Sequence, residues 1–392
     1  METVLAPNKR RTKVVIATII VIGISMFALA ISLRSNQSNA TSSGTENSVD
    51  EKIYVALEGE GKVAVVDPAI SKVISTIDLS AQENGLTVRY MAHNIQVAPN
   101  GKIVLVTANV EEGMEMDNDV MPDGSQMPHG QTFDQLIVID PLSDRIVRRI
   151  PIEIDSHLAH VVLSPDSKVA FVTLQEKGEV YSIDIEDGRI IYKIDLGEKS
   201  GPHGLRMTPD GSEAFIALLD GKGVAVLDTK TNSVRKLELP GAVVQAAVTP
   251  DGTYAFASVY DTKQIAWFNR LDGERGLLPL PSGSRGPVQI YPTPDSRYLY
   301  VADQGYYFDQ PTGSVVYRVD VASKVIDQTI VAGSAPHGVV VNSRGTRVYV
   351  TNLLSDDVSV IDTATGKETA RVTVGDMPNG VSIWNREMGG TP

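Results

Sequence analysis

The chain has 392 residues, 42% of them hydrophobic, with 33 glycines and 21 prolines, which suits one large β-rich domain with a sizeable core plus an appendage. It has no cysteine, which excludes disulfides, a thiolate metal site and covalent c-type haem attachment. The first 50 residues carry five basic and three acidic residues against −13 for the whole chain, so residues 51–392 carry −15; with no basic patch, this argues against a nucleic-acid partner.

Taken from the start, residues 1–13 form a basic tail holding Lys9, Arg10, Arg11 and Lys13. Residues 14–33 then run for 20 positions without a charge, long enough to span a bilayer as a transmembrane signal-anchor helix. The basic tail keeps the N-terminus in the cytoplasm and sends the remainder out, to the cell surface or periplasm. A cleaved signal peptide is the alternative, but the small-residue site Ser38-Asn39-Ala40 lies well beyond the apolar run. Residues 34–50 are rich in Ser, Asn, Thr and Gly and read as a flexible linker.

From Ile53 onward the chain repeats. An anchoring proline recurs as Pro99, Pro165, Pro209, Pro250 and Pro294, with Ser343 in that place last, at spacings of 66, 44, 41, 44 and 49. A second mark, in the turn after a third strand, recurs as Asp67, Asp140, Asp184, Asp228, Asn269, Asp320 and Asp362. A period in the low forties is that of propeller blades. The last copy predicts the four strands, Val339–Val341, Arg347–Thr351, Val358–Ile361 and Thr369–Val374, joined by turns too short for crossover helices. The first copy lacks a first strand, and Pro378–Trp384 is a spare one. Together they complete a seventh sheet, so residues 51–392 are expected to form an all-β, seven-bladed propeller closed by the C-terminal strand. A closed ring leaves no orphan central edge, and a monomer is expected.

Val348-Tyr349-Val350-Thr351-Asn352, with the PHG, VSVID and TVG elements around it, resembles the repeat of the YVTN β-propellers over about residues 51–385. That resemblance implies the propeller fold and a surface or extracytoplasmic setting; it does not imply an activity.

Chemistry is expected at one channel mouth. Six residues before each anchoring position stand His93, Ala159, His203, Val244, Val288 and His337, then Asn379. The next position holds Asn94, His160, Gly204, Gln245, Gln289, Gly338 and Gly380. Both positions open the innermost strand of each blade, so His93, His160, His203 and His337, four of the six histidines, should converge with Gln245, Gln289 and Asn379. Insertions at 111–135 and 304–312 lie between second and third strands, on that same face. The first carries His129 and four methionines, Met114, Met116, Met121 and Met127; His157 lies in the next connection. Imidazole beside thioether suits copper. A seven-bladed ring of histidines around copper is similar in architecture to the propellers of nitrous oxide reductase and thiocyanate dehydrogenase. Against this stands the plain reading of Pro-His-Gly as turn-forming repeat consensus, and of the methionines as a plug. A calcium loop at Asp117-Asn118-Asp119 fails, because Met121 stands where an oxygen ligand belongs. Arg206 and Arg285 lie near the channel as candidate anion ligands. Tyr306-Tyr307-Phe308 reads as a lid tucked onto its own blade. Three functions follow: a propeller binding a ligand or protein partner at the histidine mouth, a copper-binding protein or copper-dependent oxidoreductase, and a lactonase-type hydrolase, which needs carboxylates at a mouth that offers imidazoles and amides.

Overall fold

The computed structural model describes residues 50–83, 85–111 and 132–389. They form seven four-stranded antiparallel sheets and one two-stranded hairpin. Blade 1 comprises Tyr90–Val97, Val104–Val110, Asp134–Asp140 and Arg145–Glu153. Blades 2 to 6 open with Leu158–Leu163, Pro202–Met207, Val243–Val248, Pro287–Pro292 and Pro336–Val341. In blade 6 the strands Pro336–Val341, Arg347–Asn352, Asp357–Asp362 and Lys367–Thr373 match the four expected ones, with ends moved by no more than three residues.

Blade 7 is built from both ends of the domain. Pro378–Asn385 pairs antiparallel with Glu51–Leu57, setting Ile53 opposite Ile383 and Tyr54 opposite Ser382. Trp384 is buried against blade 1, where its indole N–H donates to the Gly101 carbonyl at 2.8 Å. The innermost strands of neighbouring blades pack on one another around the channel. Inner and middle strands are covered on both faces and read as apolar runs, such as Val-Tyr-Val in blade 6. Outer strands such as Lys367–Thr373 alternate exposed and covered positions and carry charges that discourage edge pairing. The core lies between blades: Val340, Tyr349 and Val360 of blade 6 meet Ile53, Val55 and Ile383 of blade 7 in one cluster.

Two local devices shape the channel. Each innermost strand carries one extra residue, so that two of its residues oppose one on the second strand. The bulged pairs are His93-Asn94, Ala159-His160, His203-Gly204, Val244-Gln245, Val288-Gln289, His337-Gly338 and Asn379-Gly380. These are the two positions singled out from the repeat, and bulges re-aim side chains. The Pro-His-Gly triplets are therefore strand, not turn. Gly204 and Gly338 matter through space: a Cβ on Gly204 would lie 2.7 Å from the Val244 carbonyl oxygen, and one on Gly338 2.4 Å from that of Asn379.

In four blades a hydroxyl fills the bulge. Thr107, Thr173, Ser258 and Thr351 accept the backbone N–H of Asn94, His160, Gln245 and Gly338 at 2.7–3.0 Å. They donate onward to the carbonyls of Ala159, His203, Val288 and Asn379 at 2.7–3.2 Å. The threonine of the Tyr-Val-Thr-Asn string is thus an inter-blade staple. Its asparagine, Asn352, accepts from Gly333 N at 3.0 Å and donates to Asp357, fixing the connection that enters blade 6.

The recurrent Asp and Asn marks cap turns at the other end of the strands, as Asp67 does for Ala69 N and Asp362 for Thr365 N, both at 2.8 Å. The hairpin Ala81–Glu83 with Leu86–Val88 was not foreseen; its strands are three residues long and follow no repeat. The expected membrane helix at 14–33, the linker up to residue 49, and the loop holding His129 and the four methionines lie outside the described residues. Among the described residues no helix is long and apolar enough to cross a membrane.

Candidate metal centre

Three of the four expected histidines converge. His93, His160 and His203, from the bulges of blades 1 to 3, each offer a ring nitrogen within 4.8 Å of the other two. All three side chains are buried. Ring centroids lie 5.9 Å apart for His93 and His160, 5.6 Å for His93 and His203, and 4.9 Å for His160 and His203. Nitrogens on one ion at bonds of about 2.05 Å stand roughly 3.4 Å apart, so binding would draw the rings inward by about 1 Å.

Outer contacts set which nitrogen is free. His203 Nδ1 lies 2.9 Å from the Val244 carbonyl oxygen, which only accepts, so this nitrogen carries the proton and Nε2 keeps its lone pair. His93 Nδ1 lies 3.3 Å from Glu58 Oε1, and its buried Nε2 has no partner among the described residues. His160 Nε2 lies 3.2 Å from the Gln289 amide; either way of facing that amide leaves His160 Nδ1 buried without a partner. A buried polar atom left unpaired costs about 1–3 kcal/mol.

Burial disfavours the imidazolium forms. It is the main cause that lowers His203 from 6.5 to about 3 and His157 and His337 to about 4, with charge on His93 adding to each. His160 is likewise held well below its ordinary value by burial, then by His203 and His93. At neutral pH His157, His160, His203 and His337 are uncharged.

His337 does not join the trio. Its Nδ1 lies 2.7 Å from the Gln304 amide nitrogen, and its ring meets that of Tyr307 edge-on at 5.6 Å. Asn379 donates to Glu58 Oε2 at 2.6 Å, and its amide lies 3.5 Å from His93 Nδ1. Gln245 is fully buried beside Gly204, with both amide atoms unpartnered among the described residues. His157, at φ 47°, packs its ring edge on His93 at 5.2 Å. Its backbone N–H is held by Asp134, which also accepts from Val110 N and Ser156 N.

The two candidate anion ligands expected near the channel stand apart from the histidine trio. Arg206 stands near the far end of its strand, at the other channel opening, where it lines a cavity with Tyr291. Arg285 is exposed on the rim, its backbone N–H bonded to Asp303.

Glu58 was missed. It follows the strand Glu51–Leu57, in the turn that corresponds to the two insertions in other blades, and that equivalence is the signal that could have found it. Burial alone would raise its carboxyl; His93, then hydrogen bonds from His93, Asn379 and Tyr307, outweigh burial and hold it well below the usual carboxylate range. The Tyr307 phenol donates to Glu58 Oε2 at 2.9 Å. Burial, then the Glu58 charge, pushes that phenol well above its ordinary value. The single-turn helix Tyr306–Phe308 is therefore a strap across the mouth rather than a lid on its own blade. Phe308 stacks on Tyr260 of blade 4 at 3.7 Å, while Tyr307 reaches Glu58 of blade 7.

A family model described as "Lactonase, 7-bladed beta-propeller" matches residues 153–383. Comparison with curated proteins finds no match. Among solved structures, the hydrazine synthase of Kuenenia stuttgartiensis aligns at a TM-score of 0.56 and 15% identity, over 74% of this chain and 88% of that one. A structure titled streptogramin B lyase aligns at 0.56 and 15%, over 74% and 86%. At such identity these two likenesses concern the fold alone.

Proposed function

The chain belongs to the family of seven-bladed β-propeller lactonases, and on that scaffold we propose a metal-binding protein whose working site is the histidine mouth. The observation that carries this reading is the convergence of His93, His160 and His203, buried and with ring nitrogens within 4.8 Å of one another. Val244 O and Glu58 orient two of the rings as outer partners orient metal-bound imidazoles. Imidazole nitrogens suit copper or zinc, and copper is the first choice. Three protein ligands leave a coordination position for an incoming ligand, which the Tyr307 strap overlies. We place the propeller outside the cytoplasm as a YVTN-type domain on a membrane anchor; the uncharged run at 14–33 and the polar tether support this.

The test is metal content. Purified protein, loaded with copper(II) or zinc(II) and freed of excess, is expected to retain one ion per chain by mass spectrometry. His93→Ala with His203→Ala should lose it while keeping the β-sheet circular dichroism of the parent. A parent that retains no ion of either kind ends the proposal.

Glu58 favours a second reading. Lactone hydrolysis stood last for want of a carboxylate at the mouth, and Glu58 is an ionised one 3.3 Å from His93. Such a pair can accept a proton from a water that attacks an ester carbonyl. A lactone panel assayed with wild type and Glu58→Gln decides it: no turnover, or turnover indifferent to the substitution, removes the hydrolase reading.

A further inference from the structure

The opposite opening of the channel holds a different chemistry. Three positions after each first-slot residue stand Gln96, Val162, Arg206, Ala247, Tyr291, Val340 and Ser382. At about 3.3 Å per residue this ring lies roughly 10 Å along the strands from the histidines. Five of its members, Gln96, Arg206, Tyr291, Val340 and Ser382, line a cavity of about 340 Å³. Arg206 is the only charged residue in that lining.

The Arg206 guanidinium has one hydrogen bond among the described residues, from Nη1 to the Leu205 carbonyl at 3.0 Å, and no carboxylate partner. It lies 5.8 Å from the centre of the Tyr291 ring. Guanidinium carries five N–H donors in a planar fork and stays charged when buried. Arg206 is half-buried, and burial disfavours its charge, so a bound anion would offset part of that cost. Part of the wall is apolar: Pro250, Pro294, Val341 and Met388 line the cavity with the arginine and tyrosine, beside polar Gln96, Ser343, Ser382 and Asn385. A fully hydrated inorganic ion gains nothing from such walls, whereas a carboxylate with an apolar body uses both features.

We infer that this second opening is a binding site for a small organic monocarboxylate, its carboxylate on the Arg206 fork and its apolar body against Tyr291 and the proline rim. The site shares no lining residue with the histidine trio.

Benzoate is the probe, titrated calorimetrically into the full chain in low-chloride buffer, with acetate and phosphate as comparisons. One saturable benzoate site is expected, about tenfold tighter than acetate, lost in Arg206→Gln and unchanged in His93→Ala. Arg206→Lys keeps the charge without the fork and should weaken benzoate about tenfold; it serves if Arg206→Gln does not fold. No saturable benzoate heat, benzoate binding that survives loss of the guanidinium, or phosphate binding as tightly as benzoate would each overturn the assignment.

Discussion

Acid should unfold the metal-free protein earlier than its carboxylates alone require. His157, His203 and His337 titrate at about 3 to 4 in the fold, against an ordinary value of 6.5, and His160 lies well below 6.5. Between pH 7 and pH 5 the unfolded chain takes up protons at these rings and the folded chain does not. Stability therefore falls as pH falls, by about 2 kcal/mol per histidine over that interval. Glu58 does not contribute there: its depressed carboxyl adds stability above its ordinary 4.5 and loses it only below. A domain holds on the order of 5–15 kcal/mol in total, so the effect is large. The assay is urea unfolding of chelator-treated protein at both pH values, followed by tryptophan fluorescence. His337→Gln removes one titrating ring and can still hydrogen-bond the Gln304 amide; its loss between pH 7 and pH 5 should be smaller than the parent's by about 2 kcal/mol. Equal losses in parent and variant would refute the view that burial keeps His337 neutral.

Three further outcomes are expected. Gly204→Ala places a Cβ 2.7 Å from the Val244 carbonyl that holds His203, so chemical denaturation should show a loss of about 1–3 kcal/mol, with weakened metal retention in the same preparation. Thr173→Val strips the partner from His160 N and from the His203 carbonyl, and the same denaturation measurement should give a cost of about 1–3 kcal/mol. Glu58→Gln keeps the shape of the mouth but removes the charge beside His93; competition against a chromophoric chelator should show metal affinity lower by about 10–100-fold.

The architecture was legible because repetition does what a single short strand cannot. One Val-Tyr-Val segment is ambiguous, but seven marks in register predict blade count, innermost strand and closure together. The mouth was legible for the same reason: His93, His160 and His203 occupy adjacent positions of one repeat, and the bulge turns both positions toward the channel. His337 shares the position but not the cluster, since the amide of Gln304 holds its ring on the strap side. Glu58 escaped notice because its neighbours in space, Asn379 and Tyr307, are 321 and 249 residues away in sequence. Arg206 was expected near the channel without a choice of opening; three residues of extended strand separate it from His203 and carry it to the other opening.

The pairing of Glu51–Leu57 with Pro378–Asn385 also bears on biosynthesis. Asn379 is made 321 residues after Glu58, yet the carboxylate that orients His93 accepts from that asparagine. A chain emerging N-terminus first has His93, His160 and His203 out well before its final strand arrives to complete their surroundings. A product stalled before Asn379 would leave Glu58 without that hydrogen-bond donor beside His93. On the proposed metal-binding function, loading would await closure of the ring by Pro378–Asn385.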